Sequence, residues 1–143
     1  MIKTTHAVLA TLLCAGGAHA ATSDSLLPKP ETESGITWLS GGIGESQAHA
    51  FREEAKKYPL SLEFVLKPAY KGTPAEYTAN IPVTVRNARG TVVLTATAQG
   101  PYMLLKLPAG RYTVVAEHRD RKIERHVYVD HAHRRVVFEW PAA

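Results

Sequence analysis

Residues 107–117 read Leu-Pro-Ala-Gly-Arg-Tyr-Thr-Val-Val-Ala-Glu, and this stretch decides the class of fold. Its Pro-Ala-Gly segment predicts a tight turn, because proline fixes φ and glycine tolerates a positive φ. Beyond the turn, Tyr112, Val114 and Ala116 are apolar at every second position, which predicts a strand with one buried face. A turn that leads directly into a half-buried strand is the repeating unit of an antiparallel sheet.

The same alternation recurs along the chain from residue 60 to residue 141. Seven short strands are predicted, with turn signals about every 8–12 residues, and this pattern is typical of an antiparallel β-sandwich. The strands begin at or near Leu60, Ile81, Val92, Met103, Arg111, Ile123 and Arg134. In the first strand, Ser61, Glu63 and Val65 fall on the predicted solvent face. The predicted core consists of Leu62, Phe64, Val83, Val85, Leu94, Leu105, Leu107, Tyr112, Val114, Val127, Val129, Phe138 and Trp140.

Apolar residues recur at helical spacing over residues 45–57, which predicts one amphipathic helix before the sandwich. The apolar stripe consists of Ala48, Phe51, Ala55 and Tyr58. Phe51 is the expected anchor of the helix on the sandwich, and Pro59 ends the helix. Residues 41–44 read Gly-Gly-Ile-Gly and predict a turn that folds the helix back. The alternative for this loop is a nest of backbone amides that binds an anion.

Residues 1–20 have the composition of a secretory signal peptide. A mostly apolar run covers residues 7–15, and an Ala-His-Ala sequence ends at Ala20, after which cleavage is expected. A lipoprotein signal is excluded, because Leu13 is too large for the position before an acylated Cys14. Cleavage after Ala20 removes the only cysteine. A cysteine-free domain behind such a leader suits a periplasmic or secreted location.

The remaining chain divides into three segments by composition. Residues 21–35 are rich in Ser, Thr, Pro and Glu, and they bury too little apolar area to offset their ordering entropy, which predicts a flexible tether. Residues 36–59 hold the glycine-rich loop and the helix. Residues 60–141 form the sandwich.

Three stretches resemble a known family. Leu107-Pro-Ala-Gly-Arg-Tyr-Thr-Val114 is similar to the Leu-Pro-x-Gly-x-Tyr-x-Val hairpin of carboxypeptidase-regulatory-like domains, and Ile81-Pro-Val-Thr-Val-Arg-Asn-Ala-Arg-Gly90 resembles an earlier hairpin of the same domains. Ser40-Gly-Gly-Ile-Gly-Glu45 resembles the start of small secreted proteobacterial proteins that carry such a domain. The resemblance implies a transthyretin-like (prealbumin-like) or Ig-like sandwich and an accessory or binding role. It does not extend to the hydroxyisourate hydrolases of the wider fold, which end in Tyr-Arg-Gly-Ser.

Composition excludes several classes of function. The chain has 143 residues, with 17 Lys and Arg against 13 Asp and Glu, and a formal net charge of +4. No block of like charges occurs, which argues against a dedicated nucleic-acid binder. No apolar run reaches the roughly 20 residues of a membrane-spanning helix. One cysteine builds neither a disulfide framework nor a thiolate metal site.

The sequence predicts no catalytic residues and no cofactor, because no spacing of serine, histidine and acid marks a triad. We therefore expect a non-catalytic binding or accessory module with a protein or an envelope component as its partner. The alternative is a small metal-binding protein that uses His131 and His133, because imidazoles so spaced suit zinc or copper. Arg134 and Arg135 follow them directly and disfavour a bound cation.

The last three strands are joined by short turns and are expected to be neighbours in one sheet. If Val114, Val127 and Phe138 point inward, period two sends Tyr128, His126 and Arg135 outward on one face. That face mixes aromatic, apolar and charged residues, a composition found at interfaces. Tyr128, His126 and Arg135 are therefore the predicted partner-binding residues, with Tyr128 foremost.

The predicted leader is tested by the mass of the exported protein. The intact mass of protein recovered from the periplasm should correspond to a chain that begins at Ala21, because signal peptidase cleaves after small residues. A mass that includes Met1, or a lipid adduct on Cys14, would contradict the prediction.

Overall fold

The computed structural model describes residues 26–142; the predicted signal peptide and the first part of the predicted tether lie outside them. This part of the chain is mainly β, as predicted, and contains one helix, α1 (Glu45–Ala55). The strands are β1 (Glu31–Glu33), β2 (Ile36–Gly41), β3 (Leu60–Lys67), β4 (Glu76–Tyr77), β5 (Ile81–Asn87), β6 (Val92–Ala98), β7 (Tyr102–Lys106), β8 (Gly110–His118), β9 (Arg121–Val129) and β10 (Arg134–Pro141).

The strands form two sheets that face each other. Sheet A has 6 strands in the order β1-β2-β7-β3-β10, with β4 paired to the end of β3, and sheet B has 4 strands in the order β6-β5-β8-β9. The prediction of seven strands is wrong in number, because β1, β2 and β4 lie in segments predicted as tether, loop or turn. β1 pairs with β2 from Glu31 to Glu33, so the tether prediction fails for these residues.

The stretch that decided the fold class forms a turn and then β8. The Tyr112 hydroxyl donates to the Pro108 carbonyl over 2.7 Å and fixes the turn. Gly110 has a φ of +157°, which is positive but close to extended backbone. β8 pairs antiparallel with both β5 and β9, so it lies inside sheet B.

The position of β10 shows that the prediction of three neighbouring final strands in one sheet is wrong. This strand leaves β9 and crosses to sheet A, where it pairs parallel with β3, with Phe138 beside Phe64. A short turn limits the distance to the next strand and does not dictate its partner. The pairing stacks the Phe138 ring on Phe64 of the neighbouring strand, with 5.7 Å between ring centroids, and both rings belong to the core between the sheets. The sandwich is thus mixed rather than wholly antiparallel.

The core between the sheets contains all the predicted residues and, in addition, Ile36, Trp38, Leu60, Ile81, Ala98, Met103 and Ala116. Every residue of the predicted core is buried, and Phe51 is completely buried under the helix. β9 is an edge strand of sheet B, and Arg125 lies on its inward phase at that open edge. The Arg125 guanidinium sits 6.0 Å from the centre of the Phe138 ring, so it covers the core while its charge stays in water.

The outer face of sheet A carries a second apolar cluster, because α1 packs against it. The cluster consists of Leu39, Phe51, Ala55, Tyr58, Tyr102 and Leu104. The residues of β3 on this outer face are buried beside the cluster, so the prediction that Ser61, Glu63 and Val65 face solvent is wrong. Within residues 26–142, α1 is too short and too polar to cross a bilayer, and no other helix does so.

The glycine-rich loop before α1 is a turn, as predicted. The backbone amides of Gly42 and Ile43 donate to the Gln47 Oε1 over 2.7 and 3.2 Å. The chain's own side chain thus satisfies the amides that the anion-nest alternative requires. Gly42 has a φ of +99°, and a Cβ there would collide with the Tyr102 ring.

Two alanine substitutions separate backbone strain from this close contact. Gly44 has a φ of +84° but open space around it, so Gly44→Ala should lower the free energy of unfolding by about 1–2 kcal/mol from strain alone. Gly42→Ala adds the collision with a buried ring and should lower that free energy by about 1–3 kcal/mol more. Urea unfolding of both variants measures the difference. Equal losses would contradict close packing of Gly42 on Tyr102.

Candidate binding grooves

The outer face of sheet B carries two of the three predicted partner-binding residues. On β9, Tyr128 is 55% exposed, and His126 is exposed beside it. The register places Tyr128 opposite Arg111 and His126 opposite Thr113 of β8. The predicted strand phase is correct for these two strands.

Tyr128 and His126 line an open groove of about 740 Å³, which we call the sheet B groove. Its floor is formed by β8 and β9, and one wall is the turn between β5 and β6. Asn87 holds that turn, because its Oδ1 accepts from the amides of Arg89 and Thr91 over 3.0 and 3.1 Å. The lining residues are Arg86, Asn87, Ala88, Gly90, Arg111, Tyr112, Thr113, His126, Val127 and Tyr128.

The sheet B groove has uncompensated positive charge. Arg86 and Arg111 line it, and within residues 26–142 neither guanidinium forms an ion pair or a hydrogen bond. The His126 ring is held between Thr113 Oγ1 at 3.1 Å and the Glu124 carboxylate at 3.4 Å. Two free guanidiniums beside an exposed tyrosine ring suit an anionic partner with some apolar surface.

Arg135, the third predicted partner-binding residue, lies elsewhere. Because β10 belongs to sheet A, Arg135 projects on the outer face of that sheet and not beside Tyr128 and His126. Its Nε and Nη2 donate to Glu63 Oε2 over 2.8 and 2.6 Å. The predicted three-residue face is therefore wrong in including Arg135.

Arg135 lines a second groove, about 390 Å³ in volume, which lies beside α1 and which we call the helix groove. The helix covers the β2 and β7 side of the outer face and leaves the β3 and β10 side open. The lining residues are Arg52, Ala55, Lys56, Ser61, Leu62, Glu63, Tyr77, Tyr102, His133 and Arg135.

The floor of the helix groove holds two buried polar side chains. Ser61 is 5% exposed and Glu63 is 6% exposed. The Ser61 hydroxyl lies 2.8 Å from His133 Nε2, and Glu63 binds Arg135; both contacts join residues 72 apart. Sequence reasoning missed these pairs, because only the parallel pairing of β10 with β3 brings them together. Within the described chain, no hydrogen bond orients the other nitrogen of His133, so the contact lacks the third member of a triad.

Tyrosine hydroxyls close one side of the helix groove. Arg52 Nη1 donates to the Tyr102 hydroxyl over 3.4 Å. The hydrogen bond with Tyr102, partial burial and the nearby Glu63 carboxylate together raise the pKa of Tyr77 well above its usual value. Tyr77 therefore stays neutral across the physiological pH range and can act as a hydrogen-bond donor.

Of the two histidines of the metal-binding alternative, His133 lines the helix groove, and His131 lines a separate, adjoining cavity. His133 Nε2 contacts Ser61, and His131 lies near Asp130. The amide of Ala132, with Arg134 and His131, lowers the pKa of Asp130. Within residues 26–142, no three His, Cys, Asp or Glu side chains are grouped so that they could hold a metal ion.

No protein-family model matches this chain, and no curated protein matches it.

The Tyr77 network predicts an alkaline loss of stability. A tyrosine whose pKa is raised in the folded state stabilises the fold fully below its unfolded pKa of about 10, and this contribution is lost as pH rises through the folded pKa. Tyr77→Phe should be less stable than the native chain at neutral pH, and the difference should shrink above pH 10. Denaturant unfolding over a series of pH values measures it. A difference that is constant with pH would contradict the network.

Proposed function

We propose that the protein is a non-catalytic binding module of the periplasm, and that it holds an acidic polypeptide segment of a partner in the sheet B groove. The observation that carries the proposal is the pair of unpaired guanidiniums, Arg86 and Arg111, beside the exposed ring of Tyr128. Guanidinium groups bind carboxylates in a planar, two-bonded geometry, which favours an acidic ligand.

Strand spacing supports a polypeptide over a single small anion. Arg86 lies opposite Thr113 in the sheet, so Arg111 is its diagonal neighbour on the same face, at about 7–8 Å. Alternate side chains of an extended chain are about 6.6 Å apart. An extended segment with acidic residues at every second position therefore matches both arginines, and Tyr128 offers a ring to a side chain between or beyond them.

The proposed domain family and the proposed export signal rest on the sequence. We propose a transthyretin-like sandwich of the carboxypeptidase-regulatory-like group, secreted by means of residues 1–20. The two packed sheets and the turn before β8 support this assignment. A binding role is favoured over catalysis, because the side chains that line the sheet B groove supply donors and a ring but no carboxylate.

A short poly-L-glutamate peptide is the probe for this proposal. Titration of the ¹⁵N-labelled chain from Ala21 should shift the amide signals of the sheet B groove, and the affinity should fall as salt is added. Arg86→Ala, Arg111→Ala and Tyr128→Ala should each weaken binding by about tenfold, which corresponds to about 1.4 kcal/mol for a lost charge-assisted bond or ring contact. Their melting temperatures should stay near that of the native chain, because these side chains are exposed.

Lys122→Ala is the matched control. Lys122 lies on the same strand as Tyr128, but the strand register places it opposite Glu117 at the far end of β8 and β9. Its substitution therefore removes one charge outside the groove. Its affinity for the peptide should match that of the native chain. An equal loss in Lys122→Ala, or equally strong shifts with inorganic phosphate, would overturn the proposal in favour of diffuse charge attraction or a small-anion site.

A further inference from the structure

The helix groove contains a charge that stability alone does not explain. Glu63 lies on β3, an interior strand of sheet A, with 8% of its side chain exposed, where an apolar residue would extend the cluster beneath α1. Burial of a carboxylate is costly, and replacement of a buried ion pair by apolar residues is often neutral or stabilising. A buried, paired carboxylate on the floor of an open groove therefore points to a ligand.

The charges around the helix groove are balanced. Each of the three cations that line it has an acidic partner: Arg135 pairs with Glu63, Arg52 with Glu45, and Lys56 with Glu53. The sheet B groove has two arginines without such partners. The helix groove therefore does not select a charged ligand, and a largely apolar lining with a few polar groups suits a neutral one.

Its hydrogen-bonding groups are both donors and acceptors. The Glu63 carboxylate offers about four acceptor positions, of which Arg135 occupies two on Oε2. The guanidinium of Arg135 has further N–H groups, and its side chain is 61% exposed at the rim. Ser61 and His133 add a hydroxyl and an imidazole at the other end of the floor. A ligand that carries several hydroxyls, each both donor and acceptor, can use this set.

An aromatic ring stands at the rim of the helix groove. Tyr77 is 56% exposed, and its ring lies 5.7 Å from that of Tyr102, which is buried. The inner ring fixes the outer one and leaves part of it open to the groove. An exposed aromatic ring provides apolar area for the C–H face of a ring-shaped ligand.

We propose that the helix groove binds a neutral polyhydroxylated ring of the sugar class. The Glu63 and Arg135 pair would bind its hydroxyls, and Tyr77 would cover one face of its ring. The groove volume of about 390 Å³ falls in the lower part of the range of small-molecule sites, about 300–1,000 Å³. This site is separate from the sheet B groove and does not depend on the peptide proposed for it.

Glucose and N-acetylglucosamine are the probes, titrated into the ¹⁵N-labelled chain. At least one of them should produce saturable shifts of the amide signals of Ser61, Glu63 and Tyr77. Glu63→Gln, which keeps the shape and removes the charge, should weaken binding about tenfold or more, and so should Tyr77→Ala. Tyr77→Phe keeps the ring and should lose less affinity than Tyr77→Ala, which separates stacking from hydrogen bonding.

Tyr70→Ala is the matched control. Tyr70 lies in the same connection between β3 and β5 and is 78% exposed, but it does not line the helix groove. Its removal should leave the affinity for the sugar unchanged. Melting curves identify any variant that unfolds, and if Tyr77→Ala does so, Glu63→Gln carries the test in its place.

Three results would overturn the proposal. The first is the absence of saturable shifts in the helix groove with either sugar. The second is an equal loss of affinity in Tyr70→Ala and Tyr77→Ala. The third is that poly-L-glutamate or inorganic phosphate shifts the same signals as strongly as the sugars, which would make the helix groove an anion site.

Discussion

The structure depends on the burial of β3 on both faces. One face of this strand packs into the core between the sheets, where Phe64 stacks on Phe138. The other face holds Ser61 and Glu63, which are buried beside the cluster that α1 forms with β2 and β7. The glycine-rich loop allows the helix to fold back over sheet A, and Gln47 stabilises the loop by accepting hydrogen bonds from two of its backbone amides. Without the helix, sheet A would have an exposed apolar face.

The sequence predicts the core well and the pairing of strands less well. Period two identifies inward positions such as Val114 and Val129 without reference to any partner strand, and these positions are buried. The partner of β10 is a different question, because a four-residue connection is compatible with a hairpin or with a crossing between sheets. Phe138 is inward in either case. Arg135 and His133, however, change neighbours completely, so the pairs with Glu63 and Ser61 have no local signal in the sequence.

The error for β3 has a similar cause. The alternation of Leu62 and Phe64 with Ser61 and Glu63 indicates one solvent-exposed face. The pattern contains no information about a helix that packs on part of that side of the sheet. The covering is incomplete, and the uncovered half is the helix groove. The two grooves thus arise from different parts of the fold: one from the twist and turns of sheet B, the other from the margin of α1. Their charges differ accordingly, with free arginines in the first and paired ones in the second.

The pairing of β10 with β3 also has a consequence for how the chain acquires its structure. The last strand of the sequence is hydrogen-bonded to a strand from its middle, with Arg134 opposite Leu60 and Pro141 opposite Lys67. The chain must lose the entropy of closing a long loop before the stabilising contacts of this pairing form, and this slows folding. Trp140 and Phe138 reach the core only at that step. A nascent chain held before residues 134–141 emerge therefore lacks an edge of sheet A, and we expect it to gain cooperative structure only after those residues are available.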